Sequence, residues 1–318
     1  MACSPGRVAD SCYRHPRSLE PVIDTPTPSA VRPDRPSAWR LPWRDRAGRF
    51  APLKAAVFVA LFVPGLGIAW DYQTGALGPR YLNEIIHATG LWAIRLLLIS
   101  LAITPVRQIL RRSELVTVRR MVGVAAFVYA LIHFFFFIVD SGFRPGFIVQ
   151  EIVLRLYLTI GFVTFLILLA LALTSTDAMV RRLGGKRWQR LHWAVYPAGA
   201  LALAHHVMQT KLNVSEATVY AGMFAWLMGY RMLARGSMPN LLRLALLSVA
   251  VAALTAAGEA AGYGLFTGIP WRRVFEANWV LVGERPGWVV LFACAGLTFL
   301  AALRPWLTRS ASSRRSPS

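Results

Sequence analysis

The chain has 318 residues, of which 56% are hydrophobic and only 16% charged, and its formal net charge is +20. Soluble proteins average about 45–50% apolar and about 25% charged residues, so the composition excludes an ordinary soluble protein. Several apolar runs are long enough to cross a bilayer, which takes about 20 helical residues. These runs are continuous and do not alternate, which excludes a β-barrel. We therefore predict an all-α polytopic membrane protein.

The chain divides into a tail, a bundle of six spans, two further spans and a second tail. Residues 1–50 are rich in Pro, Arg and Ser without an apolar segment, which predicts a disordered basic tail and not a signal peptide. The bundle occupies 51–235, the two added spans 236–304, and a basic C-terminal tail 305–318. The eight predicted spans are 52–70, 83–105, 121–139, 152–173, 192–210, 217–233, 241–262 and 287–303.

The positive charge follows the predicted loops. Twenty-seven of the 35 Lys and Arg residues lie in or beside the two tails and the 106–120, 175–191 and 231–243 loops. Seven lie on the opposite side, and Arg95 lies inside a span. Since Lys and Arg are enriched in cytoplasmic loops, both termini are predicted to be cytoplasmic, and no nucleic-acid partner is expected.

Two histidines are predicted at matched depth on different spans. With about 1.5 Å per residue, His133 and His205 both lie in the outward half of the membrane. Histidine is rare in lipid without a partner, and two imidazoles at one depth can ligate a haem iron from opposite faces. Cys3, Cys12 and Cys294 form no CxxCH motif, so any haem is b-type. Neither a Rossmann fingerprint nor a Walker A loop is present.

The choice between His205 and its neighbour His206 stays open on spacing alone. Thirteen helical residues rotate His205 about 140° away from the face of His192, whereas fourteen leave His206 only about 40° off it. If both ligands must point into one seam, helical phase favours His206, and depth does not separate the two. His192, at the inward rim, and His87, near the outward end of the second span, fit interfacial positions as well as ligand positions.

Two arginines are candidate partners of haem propionates. Arg95 lies near mid-span and needs a carboxylate, which a propionate would supply; the alternative is that its side chain extends to the cytoplasmic interface. Arg155, at the outward end of the fourth span, could bind another propionate or mark the interface. The basic segment RRLGGKRWQR at 181–190 could attract a flavin phosphate or an acidic reductase.

Five segments resemble the MsrQ (YedZ) family, the haem-binding membrane subunits of periplasmic methionine sulfoxide reductase systems. They are HATGLWAIRLLLISLAITP (87–105), VRRMVG with ALIHF (118–134), RLYLTIG (155–161), LTSTDAMVRRLGGKRWQRLHWAVY (173–196) and ALAHHVMQTK (202–211). This family belongs to the ferric-reductase-like transmembrane group, so the resemblance implies a six-helix haem-binding bundle. The extended N-terminal tail and the two C-terminal spans depart from the short family form.

The resemblance implies haem b ligated by His133, His192 and His205, and association with FMN. It also implies delivery of electrons from the bacterial inner membrane to a periplasmic molybdopterin subunit, MsrP-like, which reduces oxidised methionine in damaged proteins. Because the chain has no nicotinamide module, the donor would be a cytoplasmic flavin reductase or a membrane quinol. The rival hypotheses are a self-standing ferric or quinone reductase and, in another class, a transporter or membrane scaffold.

Overall fold

A computed structural model describes residues 41, 43–44, 48–210, 214–235, 238–280 and 285–313, with side chains described to residue 303. The predicted N-terminal tail, apart from a few residues after 40, lies outside the described residues, as do Cys3, Cys12 and Lys211. The described part is helical, with one isolated β-bridge between Arg44 and Phe50. Its helices are α1 (Pro52–Ala60), α2 (Val63–Gln73), α3 (Tyr81–Leu110), α4 (Val116–Asp140), α5 (Pro145–Leu154), α6 (Leu156–Leu173), α7 (Asp177–Leu183), α8 (Gly185–His192), α9 (Val195–Gln209), α10 (Val214–Leu233), α11 (Leu241–Thr267), α12 (Trp271–Ala277) and α13 (Pro286–Ser313).

Six helical segments in this part of the chain are long and apolar enough to cross a membrane. They are Pro52–Gln73, Tyr81–Leu110, Ser113–Asp140, Leu156–Leu173, Leu241–Thr267 and Pro286–Leu303, which match the predicted spans one to four, seven and eight. The predicted fifth and sixth spans correspond to α9, with 15 residues, and to α10, which carries Glu216 and Arg231. The chain is therefore an all-α, multi-pass membrane protein, as predicted.

Helix α3 lies at the centre of the bundle. Half of its apolar window is buried, compared with 17% for α4 and for α6. It packs along α4 and also contacts α9, α10 and α13, while α6 packs on α9. The added helices α11 and α13 pack on each other and on α10. The core is contiguous through these elements, so the C-terminal helices extend the bundle and do not form a separate core.

Two prolines explain how the predicted spans differ from the helices. The first span is broken at Leu61–Phe62, because Pro64 occupies the first turn of α2, where its missing N–H is tolerated. Tyr129 of α4 inserts its hydroxyl at this break: it donates to Leu61 O at 2.9 Å and accepts from Gly65 N at 2.9 Å. Helix α3 instead continues past Pro105, and Arg231 donates at 2.6 Å to Leu101 O, the carbonyl that Pro105 leaves without an intrahelical donor.

Three further segments were predicted as loops but contain helices. The predicted 140–151 loop contains most of α5, the 175–191 loop contains α7 and nearly all of α8, and the 263–286 loop contains α12. At the C-terminus, the predicted tail continues α13 as far as Ser313. Short helices of this kind escape a hydropathy pattern because they are much shorter than a membrane span.

Candidate functional site

Four histidine side chains lie together where α3, α4 and α9 meet. The rings of His133 and His205 have centroids 6.3 Å apart with planes at 83°. The rings of His87 and His206 have centroids 6.2 Å apart with planes at 49°. The structure therefore brings the predicted pair His133 and His205 together and adds a second pair beside it.

Backbone carbonyls orient both rings of the first pair. His133 Nδ1 lies 2.7 Å from Ile86 O, and His205 Nδ1 lies 2.7 Å from Tyr157 O. Since a carbonyl only accepts, each Nδ1 must carry the proton and donate it. In a neutral imidazole this leaves Nε2 as a bare lone pair, which is the state of a metal-ligating histidine whose other nitrogen is held by a backbone carbonyl.

Two helical glycines make room for these rings. A Cβ on Gly90 of α3 would lie 2.8 Å from His133 Nδ1, and a Cβ on Gly161 of α6 would lie 2.8 Å from the Cε1 and Nδ1 atoms of His205. Such distances are shorter than carbon–nitrogen van der Waals contact, so any other residue would displace the imidazole. Each ring is therefore held between a carbonyl that fixes its tautomer and a glycine that accommodates it.

The separation of the first pair fits one metal ion between the two rings. Imidazoles that ligate one metal from opposite sides, each nitrogen about 2.0–2.1 Å from it, place their ring centroids about 6–6.5 Å apart. The value for His133 and His205 is 6.3 Å. A pair of imidazoles suits a haem iron, whose porphyrin supplies the remaining ligands. The residues present therefore fit axial ligation of haem.

The break between α8 and α9 explains why helical phase favoured His206, whereas the ring that lies beside His133 is that of His205. Helix α8 ends at His192 and α9 begins at Val195, with Trp193 and Ala194 between them. Pro197 lies in the first turn of α9, where proline is tolerated, and so favours a new helix start there. Because 192–210 is not one helix, the rotation counted from His192 does not apply, and it is His205 whose ring faces His133.

His192 lies apart from the other histidines, outside the candidate spans. Its ring stacks on Trp188 with a centroid distance of 3.8 Å. Nδ1 lies 3.1 Å from Trp188 O and Nε2 lies 3.3 Å from Ser175 Oγ. Burial lowers the pKa of His192, although the bond to the Trp188 carbonyl opposes this, and the charges of Arg119 and Arg120 lower it further.

Arg95 has its carboxylate partner within the protein. Its Nη2 lies 3.2 Å from Glu216 Oε1 on α10, and its Nε donates to Tyr220 Oη at 2.7 Å. The Tyr220 hydroxyl in turn donates to Glu216 at 3.1 Å, and the guanidinium lies 4.9 Å from the ring centroid of Trp92. This network lies beside the second histidine pair, because the Tyr220 ring is 6.1 Å from that of His206.

Arg155 is exposed at the junction of α5 and α6. It forms an ion pair with Glu151, with Nε 2.7 Å from Oε2, and donates to the Tyr157 hydroxyl at 3.3 Å. The hydrogen bond to Tyr157 and the charge of Glu151 raise the pKa of Arg155, so the guanidinium stays charged. Its neighbour Tyr157 supplies the carbonyl that holds His205.

Sequence reasoning missed the groups that hold the rings. The carbonyls of Ile86 and Tyr157 carry no signal in the sequence, since every residue has one. Gly90 and Gly161 give a weak signal in the sequence. A glycine inside a helix lowers helix stability by about 1 kcal/mol relative to alanine, so its presence there indicates a place where another part of the protein packs closely. Glu216, an acid in the first turn of α10 directly before the predicted sixth span, is the residue that a search for a partner of Arg95 could have found.

Comparison with known proteins first shows which class of membrane protein this chain resembles. A membrane-crossing helical bundle with facing histidines is the architecture of a ferric-reductase-like membrane protein, and the family model described as "Ferric reductase like transmembrane component" matches residues 89–203. No solved structure matches the chain.

Relatives then give the family. The chain is 44% identical over 186 residues to the "Protein-methionine-sulfoxide reductase heme-binding subunit MsrQ" of Xanthomonas campestris pv. campestris, a match that covers 56% of this chain and 84% of the relative. The protein with the same description from Ralstonia nicotianae is 38% identical over 182 residues, with the same coverage of both chains. The chain belongs to the MsrQ family, as the sequence motifs indicated.

Proposed function

We propose that this protein is a membrane b-type cytochrome that carries electrons to a methionine sulfoxide reductase subunit. The observation that carries the proposal is the His133–His205 pair, with both Nδ1 atoms bonded to carbonyls and the ring centroids 6.3 Å apart. His133 and His205 would be the side chains that hold haem b. Membership of a family whose relatives are described as heme-binding subunits supports it.

The chemistry that haem supplies is the reversible gain and loss of one electron by its iron. The protein's part is to hold the two imidazoles, fix their tautomers and exclude water with the surrounding apolar helices. Arg95 and Arg155 are proposed to stabilise the propionates, with Glu216 and Glu151 as their present ion-pair partners. No general acid or nucleophile is required, because the sulfoxide would be reduced in the partner subunit.

The direction of transfer follows from the distribution of charge. We place both termini in the cytoplasm and the His133–His205 pair in the outward half of a bacterial inner membrane, on the positive-inside count. The donor would be a cytoplasmic flavin reductase or a membrane quinol, and the acceptor a periplasmic molybdopterin-containing subunit of the MsrP type. FMN is proposed near α7 and α8, where basic residues could attract its phosphate and His192 and Trp188 present a stacked pair of rings.

The proposal is tested by the reduced-minus-oxidised absorption spectrum of the purified full chain. We expect b-type bands that appear on chemical reduction. They should disappear when a molybdopterin methionine sulfoxide reductase and methionine sulfoxide are added without air. Absence of the bands from the parent protein would reject the cytochrome. Bands that the partner and its substrate leave reduced would reject electron delivery and favour a self-standing ferric or quinone reductase.

Replacing Gly161 by alanine should weaken haem binding. The new Cβ would meet the His205 ring at 2.8 Å and force it away from the Tyr157 carbonyl, 2.7 Å distant in the parent. Loss of such an outer partner typically costs about 10- to 100-fold in affinity for the metal group. Haem retention during titration with apomyoglobin measures this. The control is Gly67→Ala, a helical glycine with nothing within 4 Å of its added Cβ, which should retain haem like the parent; equal haem loss from both variants would contradict the role of Gly161.

A further inference from the structure

An apolar groove runs between the two added helices α11 and α13. Its cavity volume is about 500 Å³, and its lining residues lie within 241–249 of α11 and 291–302 of α13. Two of them, Leu242 and Phe299, are 66% and 62% exposed, so the groove opens to the outside of the bundle. Both helices are long and apolar enough to cross a membrane, so what fills the groove must come from the bilayer.

We infer that this groove binds one acyl chain of an anionic phospholipid from the inner leaflet of the membrane. The space exists because small side chains line it, among them Ala245 on α11 and Ala295 and Ala302 on α13. The inference rests on the proposed orientation, with both termini in the cytoplasm, but not on the haem chemistry. The groove lies in the C-terminal helices, outside the residues 89–203 that the family model matches.

The dimensions of the groove match a single acyl chain. The lining of α13, from residue 291 to residue 302, covers about 16 Å at about 1.5 Å per residue. Since the hydrocarbon core of a bilayer is about 30 Å thick, this length is the depth of one leaflet. A methylene group fills roughly the 30 Å³ of a water molecule, so about 500 Å³ holds on the order of 16 methylene groups.

The two hydroxyl groups in the lining already have partners within the protein. Ser248 Oγ donates to Leu244 O at 2.9 Å and accepts from Trp226 Nε1 at 3.1 Å. Thr298 Oγ1 donates to Cys294 O at 3.0 Å. The other lining residues are apolar. The oxygen atoms of a quinol ring need hydrogen-bond partners in a dry site, whereas an acyl chain needs none. The groove therefore suits an acyl chain better than the ring of a membrane quinol.

Positive charge surrounds the inward end of the groove. The chain has three arginines in residues 231–243 and four in residues 304–318, and neither segment contains Asp or Glu. The first segment leads into the lining of α11, and the second follows the lining of α13. Basic residues beside the inward end of a span attract anionic headgroups. We therefore expect phosphatidylglycerol to bind more tightly than a zwitterionic lipid with the same acyl chains.

Lipid binding by the delipidated full chain tests the inference, with native mass spectrometry and thermal unfolding as readouts. The parent should retain one phosphatidylglycerol per chain, and this lipid should stabilise it more than phosphatidylcholine with the same acyl chains. Ala245→Phe and Ala295→Phe place a ring in the groove. They should weaken retention at least tenfold, since lost contact with about two methylene groups suffices for that.

Matched controls and salt separate the acyl chain from the headgroup. Ala250→Phe and Ala293→Phe change exposed alanines of the same two helices that do not line the groove, so both should bind lipid like the parent. In about 1 M salt the screening length falls to about 3 Å, and the preference for phosphatidylglycerol should disappear.

Each contrary outcome names a different occupant. Equal retention of phosphatidylglycerol by the parent and both groove variants would overturn the site, and equal binding of the two lipids would overturn the anionic headgroup. A ubiquinone that stabilises the parent more than phosphatidylglycerol, but not Ala245→Phe, would replace the lipid by a quinol. A parent dimer that the groove variants convert to monomer would make the groove an interface between two copies. Haem content should be the same in all four variants, and a parent without haem would reject the proposed function while leaving the lipid site intact.

Discussion

Alanine in place of His133 or His205 is expected to remove one haem per chain together with the absorption bands of that haem. Under the proposed function, each of these histidines would be one of the two side chains that hold the haem iron in this site. Their bare Nε2 atoms are fixed by the bonds from Nδ1 to Ile86 O and Tyr157 O, and no other described histidine ring faces either of them as closely. The measurement is the haemochrome content together with the reduced-minus-oxidised spectrum.

Adding free imidazole to the alanine variants distinguishes loss of the histidine ligand from misfolding of the protein. Alanine leaves a space the size of an imidazole beside Gly90 or Gly161. Imidazole added during purification should therefore enter that space and restore the missing bands, which it could not do for a misfolded protein. The matched control is His192→Ala, which removes a histidine whose ring nitrogens already have protein partners and should keep the parent's haem content. Unchanged haem in both His133→Ala and His205→Ala would reject this ligand pair.

The membrane bundle could be predicted from the sequence because hydropathy over about 20 residues is a strong signal. The apolar segments that became α3, α4, α6, α11 and α13 were predicted at the right places in the chain, although most helices extend several residues beyond the predicted spans and α13 extends ten residues beyond its own. The breaks at Leu61–Phe62 and at Trp193–Ala194 were not predicted, since both lie inside apolar runs. Pro64 and Pro197 were the available signals, because proline in the first turn of a helix marks a new start.

For the candidate site, the sequence predicted how deep the histidines lie in the membrane but not the direction in which their rings point. The depth of His133 and His205 followed from residue number, because a helix rises by a fixed amount per residue. The direction of their rings did not, since it depends on the helix break before Val195 and on space provided by glycines of other helices. The second pair was missed for this reason: the sequence left His87 as either an interfacial residue or a ligand, and its position opposite His206 depends on how α3 packs against α9.

The added C-terminal helices are joined to the bundle through a buried carboxyl group. Glu259 of α11 is fully buried. Its Oε1 accepts from Ser215 Oγ of α10 at 2.5 Å, and its Oε2 accepts from Asn278 Nδ2, which follows α12. The Asn278 side-chain oxygen accepts from Gly287 N, at the start of α13, at 3.2 Å. Glu259 and Asn278 together therefore connect α10, α11, the end of α12 and the start of α13.

Replacing Glu259 by alanine is expected to destabilise the protein by on the order of 3–5 kcal/mol. The change leaves one buried N–H of Asn278 without its acceptor, which costs about 1–3 kcal/mol, and adds the cost of a cavity. The Ser215 hydroxyl can still bond to Tyr263 Oη, 3.2 Å away. Glu259→Gln should cost on the order of 1 kcal/mol, because its amide oxygen can still accept from Asn278 and its amide nitrogen can donate to the Ser215 hydroxyl. The free energy of unfolding in mixed detergent micelles, followed by circular dichroism, measures both.

The neighbouring Gly258 provides the control. A Cβ added there meets nothing within 4 Å, so Gly258→Ala should be as stable as the parent or slightly more stable. Limited proteolysis should cleave Glu259→Ala between α11 and α13 faster than either Glu259→Gln or Gly258→Ala, because the Asn278 contact with Gly287 depends on Glu259. If the alanine and glutamine variants unfold at the same free energy, the hydrogen bonds of this carboxyl do not hold the added helices on the bundle, and apolar packing of α11 against α10 and α13 suffices.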